Sequence, residues 1–346
     1  MNISSKDFYE AIKRVKPAVS SKHQVEILRN VCFRGGKLQG YNQQLGVSTY
    51  IGGDLRCCVP IDRIENVVRE LSGTVALSVK GNSLLLSCGS FATSIKVTSA
   101  DAFPVFIQQS TTPLTEDATT LLAAIDRVLP CATEQFRPLQ LHGVALYEDS
   151  IYAAGDAGAC FARAKWVGTT HGALLTISRD VAKTLVKYGV PDSVSTNQAV
   201  LQCVYNETHT EVVASLWAHA FPTGALDTAM SAPRDNTHDM EFPIGSHEAI
   251  QRVCAITPGK LETKLVHVEV RPGQIAFSSD VVGSAAKERL TWPGNLTADF
   301  DVRASYLHYV LKNAQHVNLS SVLSQSPKSV RAWGDNCDFQ IALVMV

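Results

Sequence analysis

The pentapeptide Ala-Ile-x-Arg-Val occurs three times in this chain, in order and at similar separations: Ala11-Ile12-Lys13-Arg14-Val15, Ala124-Ile125-Asp126-Arg127-Val128 and Ala249-Ile250-Gln251-Arg252-Val253. One match would carry little weight, but three in order mean a duplicated unit, and duplication constrains the fold more than any other feature of the sequence. Each copy lies in a segment of helical periodicity: Phe8, Ile12 and Val15 in the first, Leu121, Ile125 and Val128 in the second, Ala249, Ile250, Val253 and Cys254 in the third. Ser4-Ser5 and Ser246 supply N-cap residues. A second helix is expected at a similar interval in each copy, over 61–71, 178–188 and 302–314, with apolar stripes of Ile64, Val67, Val68 and Leu71, then Val181, Leu185 and Val186, then Leu307, Val310 and Leu311.

Elsewhere the apolar period drops to two, the mark of half-buried strands. Val75, Leu77 and Val79 lead through Gly81-Asn82 to Leu84, Leu86 and Cys88, which reads as a hairpin. Val200, Gln202 and Val204, followed by Val212, Ala214 and Leu216, repeat it around Glu207-Thr208, and residues 339–346 are expected to close the third copy as a strand. Polar, turn-rich stretches at 108–113 and 231–237 separate the copies. The expected architecture is α+β, with three tandem two-helix, antiparallel-sheet domains over 1–112, 113–233 and 234–346.

Several function classes find no support. No apolar run approaches the roughly 18 residues of a membrane span, and the N-terminus lacks the pattern of a secretory signal, so a cytoplasmic protein is expected. Nine cysteines, an odd number in strand-like contexts, read as reduced and buried thiols. With no Cys-x-x-Cys pair and no His-x-x-x-His pair, no metal and no cofactor are expected. Phosphate-binding Gly-x-x-x-x-Gly-Lys, Gly-x-Gly-x-x-Gly, Gly-x-Ser-x-Gly and His-Glu-x-x-His are all missing, so the chain is not expected to be an enzyme.

Charge is distributed unevenly. In Ala-Ile-x-Arg-Val the Arg lies two residues beyond the Ile, about 200° around the helix, which turns Arg14, Arg127 and Arg252 away from the core. On the second helices Arg69 and Lys312 share one position, and Lys183 and Lys187 also leave the apolar stripe. The six expected helical stretches hold thirteen Lys and Arg against nine Asp and Glu, net +4, while the whole chain is −1.

The repeat, together with Phe103-Pro104 closing the first copy, Phe221-Pro222 closing the second, an Ile27-Leu28-Arg29-Asn30 strand start, Val59-Pro60 and Ala100-Asp101-Ala102-Phe103-Pro104, resembles the beta sliding clamp of bacterial replicative DNA polymerase from end to end. The resemblance implies the DNA clamp fold in a head-to-tail homodimer, with six domains closing a ring whose helices line a central hole. The implied function is to encircle duplex DNA without reading its sequence and to tether the replicative polymerase, with a separate ATP-dependent loader opening the ring. A cytoplasmic, nucleoid-associated protein follows. The alternative is a non-DNA assembly protein that keeps the three-repeat fold.

Carried over residue by residue, the resemblance adds Lys22 and Arg137 as DNA contacts to Arg14, Arg69, Arg127, Lys183, Lys187, Arg252 and Lys312. It implies a dimer interface at Phe103, Phe106 and Ile256, although Phe103 reads equally well as core beside Pro104. A pocket for short apolar partner peptides falls on Leu141, Gly155, Cys160, Pro222, Leu226, Leu343 and Met345, of which Leu141 and Leu343 would also suit a plain core. Here the sequence departs from its relatives: the family's Thr-Asp-Gly-His-Arg-Leu reads Gly155-Asp156-Ala157-Gly158-Ala159-Cys160, and the tail is Leu343-Val344-Met345-Val346. A divergent member, bacterial or viral, with its own peptide specificity is expected.

Overall fold

The computed structural model describes residues 1–344 apart from 106–110, 133–138, 156–159, 232–234, 257–260, 262–263, 282–283 and 324–328. One element order recurs three times: strand, helix, four strands, helix, three strands. The first copy runs β1 Asn2–Ser4, α1 Ser5–Val15, β2 Asn30–Arg34, β3 Lys37–Tyr41, β4 Leu45–Tyr50, β5 Cys57–Pro60, α2 Ile61–Arg69, β6 Thr74–Lys80, β7 Ser83–Cys88 and β8 Phe91–Lys96. The second runs β9 Thr112–Thr115, α3 Ala118–Val128, β10 Val144–Tyr147, β11 Ser150–Gly155, β12 Cys160–Lys165, β13 Leu175–Ile177, α4 Arg179–Tyr188, β14 Ser193–Thr196, β15 Val200–Tyr205 and β16 Thr210–Ser215. After a helix with no counterpart among the described residues of the other copies, α5 Thr223–Ser231, the third runs β17 Asp239–Glu241, α6 Ser246–Ile256, β18 Leu265–Arg271, β19 Gln274–Val281, β20 Ser284–Thr291, β21 Ala298–Arg303, α7 Ala304–Asn313, β22 His316–Asn318, β23 Ser329–Gly334 and β24 Cys337–Ala342.

Local chemistry accounts for these elements. Ser4 caps α1 by accepting a hydrogen bond from the Asp7 N–H at 3.0 Å, and Phe8, Ala11, Ile12 and Val15 bury one face of it. Pro17 then turns the chain into a 3₁₀ segment, Lys16–Ala18. β3 comes so close to this corner that a Cβ on Gly40 would lie 2.8 Å from the Val15 carbonyl oxygen, which only glycine allows. Between β6 and β7 Gly81 takes the positive φ, 56°, of the two-residue turn.

The structure differs from the sequence reading in detail. Of Ile27–Asn30 only the last residue is strand: Glu26–Arg29 forms a 3₁₀ turn, β2 begins at Asn30, and the Asn30 side-chain amide donates back to the Glu26 and Ile27 carbonyls. Ser246 is the first residue of α6 and donates to the Pro243 carbonyl rather than accepting from the helix. The final strand ends at Ala342, beyond which the Val344 N–H donates to the Asp301 carbonyl at 2.9 Å.

The chain packs as two compact units, Met1–Thr119 with Thr184–Trp217, and Thr120–Lys183 with Ala218–Val346. The first holds a four-stranded sheet, β1-β6-β7-β8, and an eight-stranded one, β5-β2-β3-β4-β16-β15-β14-β9. The second holds an eight-stranded sheet, β13-β10-β11-β12-β24-β23-β22-β17, and a four-stranded one, β20-β19-β18-β21. All ladders are antiparallel. Each eight-stranded sheet is two four-stranded halves from successive copies, joined at β4–β16 and at β12–β24. The two junctions share one register. Thr210 to Ala214 face Thr49 to Leu45, and Cys337 to Ile341 face Ala164 to Cys160. Each ladder gains a matching bond, Tyr50 N–H to the His209 carbonyl and Lys165 N–H to the Asn336 carbonyl.

Candidate functional site

With their observed ends the six repeated helices carry eleven Lys and Arg against seven Asp and Glu, so the net +4 survives. α1 packs beside α2 in one unit and α6 beside α7 in the other. The sequence-predicted cations on them fall into two classes. Lys183, Lys187 and Lys312 are exposed, as is Lys22 in a turn after α1, and no carboxylate among the described residues is within ion-pair distance of them. Such lysines are available to phosphates. Others are committed. Arg69 is bonded to Glu70 at 2.9 Å, and Arg252 forks onto both oxygens of Glu288 on β20 at 2.9 and 2.5 Å. That guanidinium holds the Glu288 carboxyl below its ordinary range.

The shared helical phase of Arg14, Arg127 and Arg252 does not give them shared surroundings. Arg14 and Arg127 are half-buried while Arg252 is exposed. Tyr188 donates its hydroxyl to the backbone carbonyl of Arg14, whereas Arg127 lies near Cys337. Arg63 on α2 is exposed and has no carboxylate partner among the described residues, a cation the sequence reading passed over. Its signal was legible, since it lies two residues past Ile61 and one before the buried Ile64. Arg137 lies outside the described residues.

Leu141 and Leu226 come together, and the Pro222 carbonyl accepts a hydrogen bond from the Leu226 N–H at 3.1 Å. Leu226, on α5, is in a buried cluster with Ala145, Tyr152, Ala154 and Phe221, and Leu141, Phe161 and Leu174 pack against it half-buried. Gly155 and Cys160 face each other across β11 and β12, and neither reaches the surface. A Cβ on Gly155 would sit 2.6 Å from the Tyr306 hydroxyl and 2.9 Å from the Cys131 carbonyl oxygen. Leu343 is half-buried just past β24, and Met345 lies outside the described residues. Beside the apolar group is a polar one that sequence did not reveal. Arg163, on β12, donates to Asp227 of α5 at 2.8 Å and to Asp338 of β24 at 2.5 and 3.1 Å, and the Tyr152 hydroxyl donates to Asp227 at 2.9 Å.

Phe103 is only 2% exposed and packs with Cys32, Cys58 and Ala100, half-buried Ile27 and Tyr41 lying against them. Ile256 is 62% exposed at the end of α6, and Phe106 lies outside the described residues. Phe91, on β8 at the end of its sheet, is 43% exposed, and Tyr50, on β4 within an eight-stranded sheet, is 57% exposed. Among the described residues no three His, Cys, Asp or Glu are grouped to hold a metal ion, and no helix is long and apolar enough to cross a membrane.

Solved structures similar to this chain include bacterial sliding clamps. A Helicobacter pylori beta clamp bound to a DNA ligase peptide aligns over 100% of this chain and 99% of its own, with a TM-score of 0.83 and 12% identity. A sliding clamp, DNA polymerase III subunit beta, from Pseudomonas aeruginosa bound to griselimycin aligns over 100% and 99%, with a TM-score of 0.82 and 15% identity. Polymerase III beta of Caulobacter crescentus aligns over the same shares with a TM-score of 0.81 and 17% identity. The chain therefore has the beta sliding clamp fold. No protein-family model matches the sequence, and no curated protein matches it.

Proposed function

We propose that this chain is a divergent DNA sliding clamp: two copies close head to tail around duplex DNA and tether a replicative polymerase, without catalysis, after an ATP-dependent loader has opened the ring. The observation that carries the reading is the pair of strands left over by the internal junctions. In β4–β16 and β12–β24 the last strand of one half-sheet meets the last strand of its neighbour's complementary half. By the same repeat β8 corresponds to β16 and β24, and β20 to β4 and β12, and each of these two ends its sheet. A second copy offering β20 to β8, and receiving β8 on its own β20, would satisfy both edges and close a two-fold assembly.

The shared register makes this specific. The β3–β4 hairpin pairs Lys37 with Tyr50, and β19–β20 pairs Gln274 with Thr291. Carrying the junction over sets Phe91 opposite Leu290 of a second copy and Ile95 opposite Ala286 of that copy. Exposed Phe91 thus gains an apolar partner, and we assign the interface to β8 and β20, with three domains per chain over 1–112, 113–233 and 234–346. The exposed lysines of the repeated helices are the phosphate contacts, and the apolar group around Leu141 and Leu226 is the partner-peptide pocket.

The test is retention on DNA circles. Protein loaded on a nicked circle should remain bound in moderate salt and leave when the circle is linearised, since a topological tether slides off ends while an ordinary DNA-binding protein does not. Solution mass should be about twice 37.4 kDa. Retention unchanged by linearisation would sink the sliding mechanism, and a monomeric mass would sink the ring.

A further inference from the structure

The polar group beside the candidate pocket carries an imbalance. Arg163 is one cation between two carboxylates: its Nη1 serves Asp227 Oδ1, while its Nε and Nη2 share a single oxygen of Asp338, Oδ2. Asp227 is also fixed by the Tyr152 hydroxyl, at 3.0 Å to Oδ1 and 2.9 Å to Oδ2. Tyr152 remains a neutral donor because burial pushes its hydroxyl pKa up. Among the described residues one negative charge is left without a paired cation, with acceptor capacity to spare on Asp227 Oδ2 and on Asp338 Oδ1. The ion pairs of Asp227 and Asp338 among the described residues are those with Arg163, and burial lowers the pKa of His219, which holds it toward the neutral form.

Position turns the imbalance into a recognition feature. Asp227 directly follows Leu226 on α5, and Arg163 lies two residues beyond Phe161 on the same face of β12. The carboxylate therefore borders the apolar group of Leu141, Phe161, Leu174 and Leu226, and its side chain is 40% exposed where that of Arg163 is 16%. A docked peptide meets the acid before it meets the base. We propose that the partner segment taken by this pocket carries a Lys or Arg next to its apolar anchor, with Asp227 as the carboxylate that receives it. Hydrogen bonds from Tyr152 and Arg163 hold Asp227 in one geometry before binding, so little side-chain freedom is lost when the cation arrives. An acidic residue at the same peptide position would face an uncompensated like charge, which turns the same contact into discrimination.

The inference rests on the pocket reading above, and its experiment separates the two. Three fluorescent peptides sharing a Leu and Phe core, flanked by Lys, Gln or Glu, are titrated with the full chain by fluorescence anisotropy at low and high salt. The expected order is Lys, then Gln, then Glu, with a Lys-to-Glu ratio of about ten at low salt that shrinks as salt is added. In Asp227→Asn the ratio should fall below about two, whatever the absolute affinities, and Asp338→Asn should reduce it less. Equal binding of the Lys and Glu peptides, or tighter binding of Glu, overturns the charge assignment and leaves the pocket standing. Failure of all three to bind, the neutral one included, overturns the pocket and the assignment with it.

Discussion

Gly155 shows how a single position can be decided by neighbours far away in sequence. Its backbone is ordinary strand, yet the Tyr306 hydroxyl and the Cys131 carbonyl leave no room for a methyl group. Gly155→Ala should therefore destabilise the chain by about 1–3 kcal/mol, as overpacking does. A urea unfolding midpoint unchanged from the parent would show instead that Tyr306 can withdraw. The cysteines make a second test. All nine are free thiols and only Cys88 is even partly accessible. Burial pushes Cys57 and Cys203 up to about 12, and the thiolate is the reactive form. Iodoacetamide at neutral pH should modify Cys88 alone in the folded protein and all nine after denaturation, read by intact mass; rapid native labelling of several sites would contradict these buried positions. Buried thiols were legible from apolar or strand-like contexts for eight of the nine, but not for Cys88, which ends its strand and is partly accessible. The Arg163, Asp227 and Asp338 group was not, because its members lie on three elements whose adjacency no local pattern encodes.

At the scale of elements, periodicity carried the repeated helices and the hairpins because each buries one face against its own copy. It failed where a segment answers to something else. α5 has only Leu226 and Met230 buried, too short a stripe to read as a helix. Phe103, between Ala102 and Pro104, and Phe91, between Ser90 and Ala92, carry no local mark of their environments; the tertiary packing of the one and the edge position of the other's strand distinguish core residue from edge residue. β8 also permits a clean perturbation. The Val97 N–H donates to the Asn82 carbonyl, so by alternation Ala92, Ser94 and Lys96 turn their N–H and C=O groups toward the open edge. At the equivalent junction Ser215, the counterpart of Lys96, donates across to the Gln44 carbonyl at 2.8 Å. Ser94→Pro removes an outward donor and no bond of the β7–β8 ladder. The variant should keep its circular dichroism spectrum and sediment near 37 kDa rather than twice that. An unchanged dimer would place the interface elsewhere.

At the scale of the whole molecule, the threefold Ala-Ile-x-Arg-Val made the α+β repeat legible before any element was located. What it could not supply is which edges meet, since sheet junctions join strands more than a hundred residues apart. Those junctions have a consequence for connectivity itself. If every seam between neighbouring half-sheets is of one kind, none of them requires the particular bond that links one copy of the repeat to the next. A circular permutant beginning at residue 113, with Ala342 joined to Asn2 through about fifteen residues, the span that leads from β8 to β9, would make the β8–β20 seam internal. It would expose β16 and β4 in their stead. Such a chain should still assemble in pairs and still be shed from linearised circles, whereas aggregation or a stable monomer would mean that the seams are not interchangeable.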